Sequence, residues 1–206
     1  MLDYPGFFQK LRPNPIMCSG ESELNSYLQK YPFECEFEET WPTQGNMRVR
    51  IALAQELPPQ NVSSSVMAVV VQPGQQVLCL YPDERSGNIA QFLVGGRQQN
   101  EETEEETVIR EVKEETGWLI EPIGMIGFRH FHHLDPRSDR TDRPYPDFIQ
   151  PIFSSKAIHR NTSDIIQEDA IPCRMIDFIL ARSMLSEEQH FLLAAAMNKA
   201  VSDRIS

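Results

Sequence analysis

Residues 96–118 read GRQQNEETEEETVIREVKEETGW and carry the start, body and end of an acidic helix. Thr103, with Glu106 three residues later, is the pattern of a capping box, which marks where a helix begins. The glutamates at 104–106 then fall in the first turn, where the helix dipole favours negative charge. Gly117 follows the last helical position and can adopt the left-handed conformation that ends a helix. The stretch predicts a helix of about a dozen residues.

Three further glutamates of this helix are spaced to share one face. Glu111, Glu114 and Glu115 are related by three and four residues, so their carboxylates converge. Carboxylates held that close repel one another unless a cation lies among them. Oxygen ligands of high negative charge select hard cations, and Mg²⁺ is the usual choice where phosphates share the site. We therefore expect a magnesium site here, with Val108 and Val112 anchoring the helix to a sheet.

The same stretch resembles the signature of the Nudix family, G-x5-E-x7-R-E-U-x-E-E-x-G-U, in which U is a bulky apolar residue. All seven fixed positions match, and they are Gly96, Glu102, Arg110, Glu111, Glu114, Glu115 and Gly117. A chance match has a frequency on the order of 10⁻⁸ per starting position at average residue usage. Val94 stands where the family often has proline, and Trp118 stands where an aliphatic residue is usual. Neither position is a metal ligand.

The resemblance implies a hydrolase that attacks a pyrophosphate bond with metal-activated water. The implied substrate is a nucleoside diphosphate linked to another group, and the implied cofactor is Mg²⁺, with Mn²⁺ as an alternative. The implied ligands are Glu111, Glu114, Glu115 and the backbone of Gly96. Arg110 is expected to orient a glutamate, and Glu102 to support the turn before the helix. The proton acceptor is either a glutamate of the helix or an acidic residue beyond it, namely Asp164, Glu168 or Asp169.

The chain divides by pattern into an N-terminal extension, residues 1–62, and a Nudix domain, residues 63–206. In the extension, a short helix is predicted at Glu21–Lys30 and a hairpin at Phe33–Glu38 and Met47–Leu53, followed by a proline-bearing linker. The predicted strands of the domain are Val66–Val71, Val77–Tyr81, Phe92–Val94, Ile123–His133 and Asp147–Lys156, and two helices follow. The last helix starts at a capping box of Ser186 and Gln189. Interleaved strands and helices, with the resemblance, predict an α+β Nudix fold, an α/β/α sandwich around a mixed sheet.

Substrate contacts are predicted in two places downstream of the helix. Strand alternation places His130 and His132 on one face and Arg129 on the other. The loop at 135–145 carries three arginines at three-residue steps before an aromatic side chain, which suits phosphate clamping and base stacking. The candidate substrate-binding residues are Arg129, His130, His132, Arg140 and Tyr145. The alternatives are ordinary sheet histidines and a solvated loop of alternating charges.

Composition excludes several classes of partner and compartment. The net charge of −11 opposes binding to a nucleic-acid polymer, but allows a small nucleotide-type substrate if a cation intervenes. No apolar run approaches the roughly 20 residues that span a bilayer. The N-terminus lacks the pattern of a secretory signal, and the four cysteines form no CxxC pair, so we expect a cytoplasmic protein without a zinc site.

The resemblance leaves two other functions and an oligomeric state to consider. A regulator of the same fold would sense a nucleotide without cleaving it. A diphosphatase would act on a non-nucleotide such as an isoprenoid or sugar diphosphate. The resemblance also implies a homodimer, in which residues 1–62 could extend the sheet, cover the pocket or build the interface.

Overall fold

The computed structural model of the protein describes residues 19–81, 90–137, 139, 143–165, 171–185 and 187–203, with backbone only for residues 19–22, 164, 187 and 188. The helices are α1 (Ser19–Leu28), α2 (Glu104–Thr116), α3 (Phe178–Met184) and α4 (Glu187–Asp203). The strands are β1 (Phe33–Trp41), β2 (Gly45–Leu53), β3 (Ser65–Gln72), β4 (Gln76–Leu80), β5 (Leu93–Arg97), β6 (Trp118–His133), β7 (Asp147–Arg160) and β8 (Cys173–Asp177). Short 3₁₀ turns lie at Gln60–Val62 and Thr162–Asp164.

The described strands form one mixed sheet. Its order is β1-β2-β6-β7-β3-β4-β8, and β5 pairs with the first half of β3. The pairing of β3 with β7 is parallel, and the other pairings are antiparallel. Because β3 lies beside β5, β4 and β7, its apolar run is covered by strands along both edges. This arrangement brings the N-terminal end of β3 next to the end of β5 that leads into α2.

Helices cover both faces of the sheet and create two cores. Alternation along β3 sends Val66, Ala68 and Val70 to the face that packs on Val108 and Val112 of α2. The intervening residues Val69 and Val71 face Leu192 and Leu193 of α4. Val108 and Val112 are fully buried, which confirms their predicted role as the stripe that anchors α2. The molecule is therefore the predicted α+β sandwich, with α2 on one face and α4 on the other.

The N-terminal hairpin continues this sheet. β1 and β2 pair antiparallel as the alternation predicts, and β2 pairs with β6 from Met47↔His133 to Leu53↔Gly127. Helix α1 begins two residues before the predicted start, and its Leu24 and Tyr27 are buried in the core on the α2 face. The division of the chain after residue 62 stays a prediction.

Several element boundaries differ from the sequence predictions. β6 begins at Trp118, directly after the glycine that ends α2, and β-bulges interrupt its pairing with β7 near Pro122 and Met125. The bulges break the strict alternation that marks a strand, which explains why only Ile123–His133 was expected. β8 was not predicted, because five residues carry little periodic signal. Ser186, the expected cap of the last helix, lies outside the described residues. None of the described helices is long and apolar enough to cross a membrane.

Candidate active site

Helix α2 begins and ends where the sequence predicts. The Thr103 hydroxyl accepts a hydrogen bond from the Glu106 amide at 3.2 Å, and the Glu106 carboxylate accepts one from the Thr103 amide at 2.9 Å. This reciprocal capping box fixes the first turn. Gly117 ends the helix in the left-handed conformation, with φ 74°, and donates its amide to the Lys113 carbonyl. Both ends of the helix that carries the glutamates are thus set by local chemistry.

Two glycines let β5 approach its neighbours closely. A Cβ on Gly95 would overlap the backbone carbonyl of Val66 on the adjacent strand, and Gly95 has a positive φ of 148° that disfavours other residues. A Cβ on Gly96 would overlap the carboxyl group of Glu111, lying 2.6 Å from its Oε1. Gly96 therefore leaves the space in which the Glu111 carboxylate rests against the backbone of β5.

Arg110 joins the turn before α2 to the acidic face of the helix. Its Nη1 donates to Glu111 Oε1 at 2.8 Å and to Glu114 Oε2 at 3.2 Å. Its Nε and Nη2 donate to the two oxygens of Glu102 at 2.6 and 2.9 Å, and Nη2 also donates to the Arg97 carbonyl at 2.9 Å. These five bonds use the five N–H groups of a guanidinium. Glu111 and Glu114 are thereby held at one nitrogen.

Glu102 anchors this arrangement from the turn. Its Oε2 also accepts from the Gln99 amide at 3.0 Å and the Thr107 hydroxyl at 3.1 Å. The hydrogen bonds from Arg110 are the largest influence on this carboxyl and lower its pKa to about 2, so it stays ionised well below neutral pH. The same contacts raise the pKa of the Arg110 guanidinium. Both charges are therefore permanent under physiological conditions.

A cavity of about 730 Å³ opens on the α4 face of the sheet. Met67 of β3 and Leu93 of β5 line it, Trp41 of β1 forms part of its wall, and Met184 and Gln189 border it from the α3–α4 side. Leu93 precedes Gly96 by three residues on β5, a separation of roughly 10 Å along a strand. Because three residues separate them, Leu93 faces the cavity side of the sheet and Gly96 faces the α2 side, where Glu111 meets the backbone.

A comparison with models of protein families shows which family the chain belongs to. The sequence model described as the NUDIX domain matches residues 62–188, more than half of the chain. The chain belongs to the Nudix family. With the family's signature intact, this Nudix protein is a hydrolase. A comparison with curated proteins gave no match.

The fold is also similar to those of several solved structures whose sequence identity to this chain is low. A NUDIX hydrolase from Nitrosomonas europaea is 17% identical, with a TM-score of 0.45, over 68% of this chain and 89% of that one. A variant of a pyrophosphohydrolase from Bacillus subtilis is 16% identical, with a TM-score of 0.45, over 81% of this chain and 96% of that one. The dihydroneopterin triphosphate pyrophosphohydrolase of E. coli is 17% identical, with a TM-score of 0.42, over 64% and 94%.

The residues of the Nudix helix fit a divalent cation in their chemistry. Glu111 and Glu114 meet at Arg110 Nη1 through one oxygen each, so each carboxylate has a second oxygen to offer a ligand. The Gly96 backbone lies against the Glu111 carboxylate. These are hard oxygen donors of the kind that Mg²⁺ prefers. Among the residues described, no three acidic, His or Cys side chains converge into a complete metal site.

The expected proton acceptors lie beyond α2. Asp164 ends the 3₁₀ turn at Thr162–Asp164, and its side chain is not described, while Glu168 and Asp169 fall outside the described residues. The chain after them returns to the helix, because the Ile171 amide donates to the Glu115 carbonyl at 3.0 Å. Asn161 likewise donates its amide to the Gly117 carbonyl at 2.7 Å. Residues 161 and 171, on either side of the three candidates, are thus tied to the end of α2.

The predicted substrate-binding residues separate into different environments. Arg129 lines the cavity, while His130 and His132 lie on the opposite face of the sheet. There, His130 Nε2 and His132 Nδ1 contact the same oxygen, Asp147 Oδ1, at 2.8 and 2.9 Å. Burial opposes ionisation of Asp147, but hydrogen bonds from the two histidines outweigh it and lower the pKa of this carboxyl. Tyr145 is exposed beside His133, and Arg140 lies outside the described residues.

Sequence reasoning did not single out Glu39 or Trp41, although both line the cavity. They come from the N-terminal hairpin, which the Nudix signature does not include. The strand predicted at Phe33–Glu38 ended before both residues, and nothing local indicated which surface the longer β1 would meet. The pairing of β2 with β6 supplies that information, since it carries β1 to the cavity.

Proposed function

We propose that this Nudix protein uses Mg²⁺ to hydrolyse a pyrophosphate bond in a nucleoside diphosphate linked to another group. The observation that carries the proposal is the Glu111 carboxylate held between the Gly96 backbone and Arg110, with Glu114 on the same guanidinium nitrogen. A structural acidic surface would not require a glycine whose missing side chain makes room for a carboxylate.

Each site residue has a distinct role in this proposal. Glu111 and Glu114 hold the cation, together with Glu115 and the Gly96 carbonyl. Arg110 positions the two carboxylates, and Glu102 fixes Arg110 to the preceding turn. When bound, the divalent ion lowers the pKa of water and neutralises charge on phosphate oxygens.

The proton released by water goes to a carboxylate, and two candidates for this proton acceptor remain. A glutamate of α2 would accept it directly at the site. Otherwise Asp164, Glu168 or Asp169 would accept it from the segment that returns to α2 near Glu115. Substituting each of these three by Asn or Gln and measuring the pH dependence of kcat distinguishes them, because loss of the base removes the acidic limb of the profile.

The cavity supports a nucleotide as the substrate. Its volume of about 730 Å³ lies within the range of small-molecule sites, and Met67, Phe92 and Leu93 give it apolar walls suited to a planar ring. The acidic net charge of the chain also favours a small substrate over a polymer. We further propose a homodimer, which a light-scattering mass would test, and a cytoplasmic location, which suits the four separate cysteines.

The proposal is tested by a hydrolysis screen over nucleoside diphosphate derivatives, in which chromatography measures release of the nucleoside monophosphate. The screen is run with Mg²⁺, with Mn²⁺ and with EDTA, and Glu114→Gln is measured in parallel with Glu105→Gln. Glu105 is an exposed residue of the first turn of α2 and serves as the matched control. We expect EDTA to abolish release and Glu114→Gln to lower kcat by about 10²-fold or more, since even groups that only orient metal ligands contribute about 10- to 100-fold.

Two results would contradict hydrolysis of a nucleotide. If no compound is cleaved while thermal shifts show tight nucleotide binding, the protein is a sensor of nucleotides. If isoprenoid or sugar diphosphates turn over faster than the nucleotide derivatives, the protein is a diphosphatase of another substrate class.

A further inference from the structure

An ion pair between the N-terminal hairpin and β6 forms part of the cavity wall. Arg129 Nη2 donates to Glu39 Oε2 at 2.8 Å, across 90 residues of sequence. The Arg129 side chain is 17% exposed and the Glu39 side chain 36%, so Arg129 is largely buried and Glu39 is partly open to solvent. Arg129 also lies over the Phe131 ring, 4.8 Å from its centroid. The pair is thus held in one orientation.

The pair offers a ligand in the cavity a hydrogen-bond acceptor, Glu39, beside a hydrogen-bond donor, Arg129. A carboxylate can accept through about four lone pairs and a guanidinium carries five N–H donors, so one mutual bond leaves capacity on both groups. Burial lowers the pKa of the Arg129 guanidinium against the opposing effect of Glu39. Hydrogen bonds formed away from water discriminate strongly between ligands.

The walls next to the pair fit the flat face of a base. Phe92 and Leu93 contribute apolar surface, and both precede the glycines of β5 that lead to Glu111. A base could therefore rest on these apolar side chains beside Glu39 and Arg129.

We propose that Glu39 and Arg129 form a base-recognition site that selects guanine, with the carboxylate supplied by the N-terminal hairpin. This proposal rests on the proposed function in taking the ligand to be a nucleotide. Guanine is the common base with a carbonyl acceptor followed by two adjacent N–H donors on one edge. Its O6 would accept from Arg129, and its N1–H and 2-amino group would donate to Glu39. Hypoxanthine lacks the amino group, and xanthine replaces it with a carbonyl that would repel the carboxylate.

Binding to the unmodified full-length chain provides the first test. Calorimetry is performed with guanosine, inosine and xanthosine 5′-monophosphates, which share the 6-carbonyl and differ at the 2-position of the base, where the xanthine carbonyl is accompanied by an N3–H. We expect the guanosine compound to bind about tenfold more tightly than the inosine compound, because the Glu39 carboxylate would accept one hydrogen bond fewer from inosine. The xanthosine compound should bind more weakly still. Equal affinity for the three compounds, or no detectable binding of any, would overturn the proposal.

A matched pair of variants tests the residue itself. Glu39→Gln keeps the shape but replaces one acceptor with an amide donor, so the guanosine-to-inosine affinity ratio should fall to about one. Glu38→Gln is the control, because Glu38 directly precedes Glu39 on β1, lies on the other face and pairs with Arg48. A purely structural role of Glu39 would lower both affinities equally and leave the ratio unchanged, and that result would contradict the proposal.

The outcome is separable from that of the hydrolysis screen. Selective guanosine binding without turnover of any diphosphate would support base recognition while contradicting the proposed reaction. Turnover of nucleoside diphosphate derivatives without preference for the 2-amino group would contradict base recognition alone.

Discussion

Arg110 and Glu102 form a two-point ion pair, with Nε 2.6 Å from Oε1 and Nη2 2.9 Å from Oε2. Both side chains are about four-fifths buried, and both charges persist across the physiological pH range. The pair fixes the turn before α2 to the helix itself. It also leaves Nη1 of the same guanidinium free to face Glu111 and Glu114, so the positions of these two proposed cation ligands depend on Glu102, which is not one of the proposed ligands.

Glu102→Gln should reduce both stability and activity. Gln cannot accept through two oxygens, and its amide nitrogen would face a guanidinium donor. We expect a loss of about 1–3 kcal/mol in the free energy of unfolding at pH 7 and a decrease in kcat of about 10- to 100-fold. Urea denaturation and steady-state kinetics measure the two effects. Unchanged kcat in a folded variant would show that Arg110 keeps its position without Glu102.

The same pair predicts how stability depends on pH. The pKa of Glu102 falls from an ordinary 4.5 to about 2 on folding, so the folded state favours the ionised form. Its stabilisation is complete above pH about 4.5 and disappears as the pH falls towards 2. The stability difference between the native chain and Glu102→Gln should therefore shrink between pH 5 and pH 2, which urea titrations at stepped pH can follow. A constant difference over that interval would contradict this linkage.

Replacing Gly96 should mainly lower activity, whereas replacing Gly95 should mainly lower stability. Gly96→Ala places a methyl group in the space of the Glu111 carboxylate, so kcat should fall by about 10- to 100-fold with a small change in melting temperature. Gly95→Ala meets the backbone of Val66 at a positive φ and should mainly destabilise the fold. Gly74→Ala controls for a positive φ alone, because its Cβ would meet no atom within 4 Å. If Gly95→Ala and Gly96→Ala lowered kcat by the same factor for each degree lost in melting temperature, that result would contradict a specific role of Gly96.

The parts of the site that were predictable from sequence are those set by neighbouring residues. Thr103 and Gly117 define the ends of α2 within a few residues of themselves, and the spacing of Val108 and Val112 identifies the buried stripe. The signature then identified the residues around Gly96. Local chemistry and a fixed spacing were sufficient for this part of the molecule.

The cavity wall could not be predicted, because it depends on long-range pairing. Glu39 and Arg129 meet only because β2 pairs with β6 in a particular register, and a shift of one residue would turn Arg129 to the other face. The opposite environments of Arg129 and His130 follow from the same alternation. Their neighbours, however, come from strands distant in sequence. Composition and spacing carry no information about those contacts.

The capping box of α2 should contribute to stability but little to catalysis. Thr103→Ala removes the oxygen that accepts the Glu106 amide and should lower the free energy of unfolding by about 1 kcal/mol. Thr103→Ser keeps that oxygen and should retain most of the stability. Urea denaturation of the three proteins measures the difference. A stability loss as large for serine as for alanine would show that the methyl group of Thr103, not its hydroxyl, is what matters.

Arg143 ties the loop after β6 to the start of β3. Its guanidinium carbon lies 5.2 Å from the centre of the Trp41 ring and 5.1 Å from that of Phe148, and Nη1 donates to the hydroxyls of Ser64 and Ser65 at 2.8 and 2.9 Å. A planar guanidinium can stack between rings while donating in its own plane, which an ammonium group cannot do. Arg143→Lys should therefore destabilise the fold by about 1–2 kcal/mol although the charge is kept.

A double-mutant cycle isolates this contact. Arg137→Lys, at an exposed position of the same loop, should change the free energy of unfolding by less than about 0.5 kcal/mol and serves as the control. Ser65→Ala combined with Arg143→Lys should cost less than the sum of the two single changes, because both remove the same hydrogen bond. Additive losses would mean that Arg143 acts through its aromatic contacts alone. In that case Trp41→Leu, and not Ser65→Ala, should show the coupling with Arg143.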